Sequence, residues 1–192
     1  MPLSKPTDRE HLHTRSITYR GYRRKDGLWD IEGHMTDTKT YAFSNDWRNE
    51  IAVGEPLHEM LVRVTIDDEL EIKDIEAVTD NSPFEMCPDI TPNYKSLIGI
   101  SIGRGWRNQV RKHVGGTKGC THITELLFPM ATVAFQTIIP FKSKDNGSIV
   151  ENTASGKRPA VLNTCHAWST ESDVVKKYVP EFYTGPEDSD SD

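Results

Sequence analysis

A chain of 192 residues, 35% hydrophobic and 27% charged, is long enough to fill one core. Its net charge of −6 argues against a nucleic-acid binder, whose affinity rests on a basic footprint for phosphates. No uninterrupted apolar run approaches the roughly 18–20 residues of a spanning helix, so no membrane role is expected. Four acids, Glu187, Asp188, Asp190 and Asp192, close the chain, and the remainder is nearly neutral.

Residues 1–12 are polar and read as a mobile tail without a secretory apolar core. Three cysteines without C-x-x-C spacing form no disulfide framework, so a cytoplasmic protein with reduced thiols is expected. Residues 17–24 and 28–35 flank Lys25-Asp26-Gly27, and an Asp-Gly pair supplies the positive φ of a tight hairpin. Trp29, Ile31 and Met35 share one face of the second strand, and Asp30, Glu32 and His34 the other. A second hairpin follows: Met60, Val62, Val64 and Ile66 alternate with Leu61, Arg63 and Thr65, and Asp67-Asp68 turns the chain into residues 70–78.

The back half reads as helical. A short helix is expected over 94–98, a better one over 105–114, and the longest from Thr121, as its N-cap, to about residue 139. Pro129 predicts a kink or a break there. Residues 143–158 form a polar loop, 160–165 a strand-like piece and 173–178 a last helix before an acidic tail at 185–192. Sheet first and helices afterwards is an α+β pattern: a curved antiparallel sheet of two N-terminal hairpins covered by C-terminal helices, as a single domain over 13–184.

The sharpest chemical feature is Gly119-Cys120-Thr121-His122-Ile123-Thr124-Glu125. On a helix His122 and Glu125 share a face, and the stripe continues through Pro129, Thr132 and Gln136. Such a stripe is either an acid/base pair lining a pocket or an ordinary solvent-facing surface. Asp30, Glu32, Arg63, Asp74 and Glu76 make one face of the sheet charged, to orient a polar substrate or to pair across strands. The run Tyr19-Arg20-Gly21-Tyr22-Arg23-Arg24 forms no single basic stripe, because Arg20 and Tyr22 face away from Arg23. Cys120 with His122 and Cys165 with His166 offer zinc-type ligands if the two segments meet, though not at zinc-finger spacing. No P-loop or dinucleotide fingerprint is present.

Six stretches carry a resemblance. They are His13-Thr-Arg15, the run from Gly21 through Trp29-Asp-Ile-Glu to Gly33, Asp37-Thr-Lys39, Asp74-Ile-Glu-Ala77, Gly119-Cys-Thr-His122 with Glu125, and Thr164-Cys-His-Ala-Trp168. In this order they resemble a bacterial family catalogued as a domain of unknown function, some members of which are γ-formaldehyde lyases that convert lignin-derived phenylcoumarans to stilbenes. The 143–158 loop and the acidic tail depart from the family pattern. The resemblance implies a cofactor-independent, metal-free carbon–carbon lyase acting through a quinone methide. It needs an acid and a base, cationic groups for phenolate charge and an apolar slot for two rings. The family motif places His122, as base or acid, and Glu125, as its partner; for the other tasks the sequence offers Arg63 and Lys39 to stabilise phenolate charge, Tyr22 as a hydrogen-bond donor, and Glu32, Glu76 and Gln136 as pocket lining. The expected partner is a small aromatic substrate, with a homodimer compatible with a half-covered sheet. Two other classes fit the same residues: a non-catalytic aromatic-binding or dimerisation module, and a metal-dependent hydrolase built on the Cys/His pairs.

Overall fold

Alternation of apolar and polar residues builds the first half of the chain. In the computed structural model, which describes residues 3–146, 158–159 and 161–186, six strands follow in order: β1 (His13–Arg23), β2 (Trp29–Lys39), β3 (Phe43–Asn45), β4 (Asn49–Ile51), β5 (Pro56–Ile66) and β6 (Ile72–Asn81). β1, β2, β5 and β6 form one antiparallel sheet in the order β1–β2–β5–β6, and β3 pairs with β4. The architecture is α+β, with helices after the strands and the sheet open at its edges.

Cross-strand register puts the core on one face. Trp29 lies opposite Ile66, Ile31 opposite Val64, and Met35 opposite Met60. All six are buried, each contributing roughly 1.5–3 kcal/mol. The other face carries the row Glu32, Arg63 and Glu76.

The β3–β4 hairpin escapes sequence reading because three-residue strands show no period. Its turn is set locally: Asn45 Oδ1 accepts from the backbone N–H of Trp47 and of Arg48, at 3.2 and 2.8 Å.

Beyond β6, residues Cys87–Leu97 form a long 3-10 segment where only 94–98 was expected to be helical. Then come α1 (Trp106–Val114) and α2 (Thr121–Asn146). α2 is one helix, so Pro129 does not divide it. That proline stands on the exposed side, where water can serve the freed carbonyl of Glu125. Its first internal bond runs from Thr124 N to the Cys120 carbonyl at 2.9 Å, so Cys120 rather than Thr121 is the capping residue.

By length and composition alone, Thr121–Lys142 could cross a membrane, which the count of uninterrupted apolar residues missed. Within the fold it is a core helix: Ile123, Leu126, Leu127, Met130, Ala134 and Ile138 are buried, and Tyr19 donates its hydroxyl to the Leu126 carbonyl. It crosses the sheet closely at Gly21, where a Cβ would lie 1.9 Å from Thr137 Oγ1, so only glycine fits.

Two compact units divide the chain, Met1–Ile138 and Ile139–Asp192. In the second, α3 (Asp173–Tyr178) starts at Ser172, whose Oγ accepts from Val175 N at 3.2 Å. Leu162, Val175 and Val179 form its core with Trp168, Phe182 and Tyr183. Residues 161–165 are turns and bends rather than a strand, with Thr164 N bonded to the Val161 carbonyl, and residue 160 is outside the described residues. Of the expected 143–158 loop, residues 143–146 end α2 and 147–157 lie outside the described residues, as does the acidic tail from 187.

Candidate functional site

The inward face of β2 reads Trp29, Ile31, Gly33, Met35 and then Asp37. The same alternation that buries the apolar residues therefore buries a carboxylate at the end of the row, with 3% of its surface exposed. Register brings Arg15 of β1 opposite it on one side and His58 of β5 on the other. The Arg15 guanidinium forks onto both Asp37 oxygens, Nε to Oδ1 and Nη2 to Oδ2, each at 2.8 Å. His13 Nε2 meets Oδ1 at 2.9 Å, and His58 Nδ1 meets Oδ2 at 3.2 Å.

The first turn of α2 completes the group. His122 brings Nε2 to 3.9 Å from Asp37 Oδ2, and its ring lies 3.9 Å from that of His58, tilted by 35°. Glu125 accepts from Arg15 Nη1 at 3.1 Å, and the Cys120 sulfur lies 3.8 Å from His122 Nδ1.

Burial pushes the Asp37 carboxyl upward, but the Arg15 fork, the His13 hydrogen bond and the charges of Arg15 and His58 outweigh it and hold the group at about 2. An ionised carboxylate only accepts, so His58 Nδ1 carries hydrogen and the lone pair of its neutral ring is on Nε2. Burial, then the neighbouring His122, lowers His58 below its ordinary value. Burial, then Arg15, lowers His122 in the same way. The pair is thus two neutral imidazoles at pH 7, backed by one fixed negative charge.

The start of α2 is pinned from outside the cluster by Tyr94. Its buried hydroxyl accepts from Cys120 N, donates to the Cys120 carbonyl and lies near Thr124 Oγ1, all at 2.9 Å. Tyr94→Phe leaves these groups short of a partner and is expected to cost about 1–3 kcal/mol, read from a urea midpoint at pH 7. Burial pushes the Tyr94 hydroxyl up to about 12. The folded state favours the neutral phenol, so its contribution is full below pH 10 and is lost as pH rises from 10 toward 12. The Phe variant should lack that part of the alkaline loss, and an identical alkaline profile in both proteins would contradict it.

Of the residues expected from sequence, His122 and Glu125 stand in this cluster, Glu125 with 53% of its side chain exposed. Lys39 follows Asp37 on the same face, opposite His13, with its Nζ 6.0 Å over the Tyr41 ring. Arg63, Glu32 and Glu76 come together instead on the opposite face of the sheet, Arg63 donating to Glu32 at 2.8 Å and to Glu76 at 3.3 Å. Arg20 and His34 line a cavity of about 360 Å³ with them. Tyr22 is on that outer face, opposite Asp30. Glu125, Pro129, Thr132 and Gln136 are all exposed, so the stripe on α2 faces solvent beyond His122, and its expected role as a pocket wall gives way to an ordinary helix surface. Cys165 and His166 belong to the second unit.

Asp37, His58, Arg15 and His13 were absent from the expected site. A readable signal existed: His58 has the parity of Met60, Val62 and Val64, and Asp37 that of Met35, so each is a polar residue on an apolar face. A carboxylate oxygen of Asp37 and one nitrogen each of His58 and His122 also lie within 4.8 Å of one another, a set able to hold a metal ion.

These features define an α+β protein with a buried carboxylate serving two imidazoles at the end of its sheet. A family model described as a protein of unknown function (DUF2889) matches residues 13–136, and the chain belongs to that family. No curated protein and no solved structure matches it.

Proposed function

We propose that this protein is a lyase that eliminates formaldehyde from a phenylcoumaran-type aromatic dimer and leaves a stilbene, with Asp37, His58 and His122 managing the protons. One observation carries the reading: His13 and Arg15, Asp37, and His122 with Glu125 come from three separate stretches that resemble the family with lyase members, and all meet around one buried carboxylate.

The chemistry matches what these groups offer. A phenolate on the substrate expels the benzylic ether oxygen and forms a quinone methide. A base takes the γ-hydroxyl proton, the Cβ–Cγ bond breaks, and formaldehyde leaves. The electron pair of that bond becomes the stilbene double bond and restores the arene. The released phenoxide takes up one proton, so none is gained or lost overall. The substrate ring is the electron sink, and the protein has only to move a proton and steady negative charge.

His58 suits the base role because Asp37 holds its Nδ1–H and stabilises the imidazolium that forms. In this scheme His122, whose ring lies 3.9 Å from that of His58, returns the proton, and Lys39 is a cation on this face for a phenolate. Arg63, Glu32, Glu76 and Tyr22 take no part in this scheme, since they stand on the other face.

Incubation of the purified protein with a phenolic phenylcoumaran tests the proposal. Free formaldehyde and stilbene absorbance should rise in equal amounts, and His122→Ala should lower the rate by about 10²-fold or more. Stoichiometric binding without turnover would replace the lyase by an aromatic-binding module.

A further inference from the structure

We propose that Asp37, His58 and His122 also form a binding site for a divalent transition-metal ion of the zinc type. The ligand atoms already cluster: Asp37 Oδ2 is 3.2 Å from His58 Nδ1 and 3.9 Å from His122 Nε2, and one donor atom from each residue falls within a 4.8 Å span. With bonds near 2.0–2.2 Å, neighbouring ligands of a tetrahedral zinc are roughly 3.3 Å apart, so a small rotation of the His122 ring closes the set once the ion displaces the His58 hydrogen from Nδ1 and the ring takes the Nε2–H tautomer.

The carboxylate is prepared for this. Of its four acceptor positions, Arg15 fills two and His13 one, and the fourth, on Oδ2, faces the two imidazoles. Arg15 and His13 thereby hold the ligand from behind, as outer-shell partners do in metal centres.

The same guanidinium decides which ion binds. Its charge offsets that of Asp37, so attraction must come from the imidazole lone pairs rather than from net negative charge. Ions with strong nitrogen affinity are favoured, and oxygen-seeking Mg²⁺ and Ca²⁺ are not. A further consequence rests on the lyase reading: an ion on His58 Nδ1 leaves the ring hydrogen on Nε2, which then has no lone pair to act as base, so zinc and turnover exclude each other.

The test uses the full chain, stripped by a chelator and titrated with zinc against a chromophoric competitor. One equivalent should bind, a hundredfold excess of Mg²⁺ should not displace it, and His58→Gln and His122→Gln should each weaken binding by about 100-fold. The cobalt(II) form should show ligand-field bands without a thiolate-to-cobalt charge-transfer band. Absence of saturable zinc binding would overturn the site, as would unchanged affinity in both variants with native circular dichroism. A thiolate band would assign the metal to cysteine instead. Formaldehyde release should fall in step with zinc occupancy, and full release at full occupancy would refute the exclusion. If the zinc-free protein releases no formaldehyde, the lyase reading fails while the titration still decides the metal site.

Discussion

Asp37→Asn should lower stability by about 2–4 kcal/mol and, on the proposed lyase reading, formaldehyde release by at least about 10²-fold. The amide is neutral and turns an NH₂ toward a guanidinium or an imidazole that must itself donate. The Arg15 fork loses at least one of its two 2.8 Å bonds, and the Arg15 charge keeps only Glu125, 3.1 Å away and largely in solvent. His58 loses the acceptor that fixes its hydrogen on Nδ1, so the ring no longer presents Nε2 as the base. A urea midpoint and a formaldehyde assay read the two effects separately. A variant within 0.5 kcal/mol of the parent would mean that the buried carboxylate contributes little to the fold.

The second large effect concerns the imidazole pair. His58→Gln and His122→Gln should each fold and each lose about 10²–10⁴-fold in turnover, with His58→Gln the worse, because only His58 is hydrogen-bonded to Asp37. On the proposed lyase reading the two rings, 3.9 Å apart, relay the same proton from the γ-hydroxyl to the released phenoxide, so the double variant should fall no further than the worse single one. Losses that multiply would show that the two act in independent steps.

Much of the frame was legible before the structure. Period-two patterning over residues 28–35 and 60–66 identified two of the sheet strands, the faces they bury and the hairpin at Gly27. A short helix near residues 173–178 was also legible, and α3 occupies that stretch with Ser172 as its cap. The stripe beginning at His122 was misleading for a simple reason: on a long helix only the first turn reaches the end of the sheet, and Pro129, Thr132 and Gln136 lie further along its solvent side. Arg63 with Glu32 and Glu76 was a real constellation, but on the face away from His122, a distinction that parity alone contained once a common inward direction was chosen.

The amino-acid order by itself settled the four long strands, the buried faces of β2 and β5 and the helical character of α1, α2 and α3, because these depend on patterns over residues two to four apart. It also marked His122 and Glu125 as chemically unusual. Only the tertiary structure decided their company. Arg15, Asp37 and His58 are up to 43 positions apart and meet through strand register, and His122 reaches them because Tyr94 pins the start of α2. Register and helix docking are set by the packing of the whole core, and no local pattern encodes the distance from one imidazole to another.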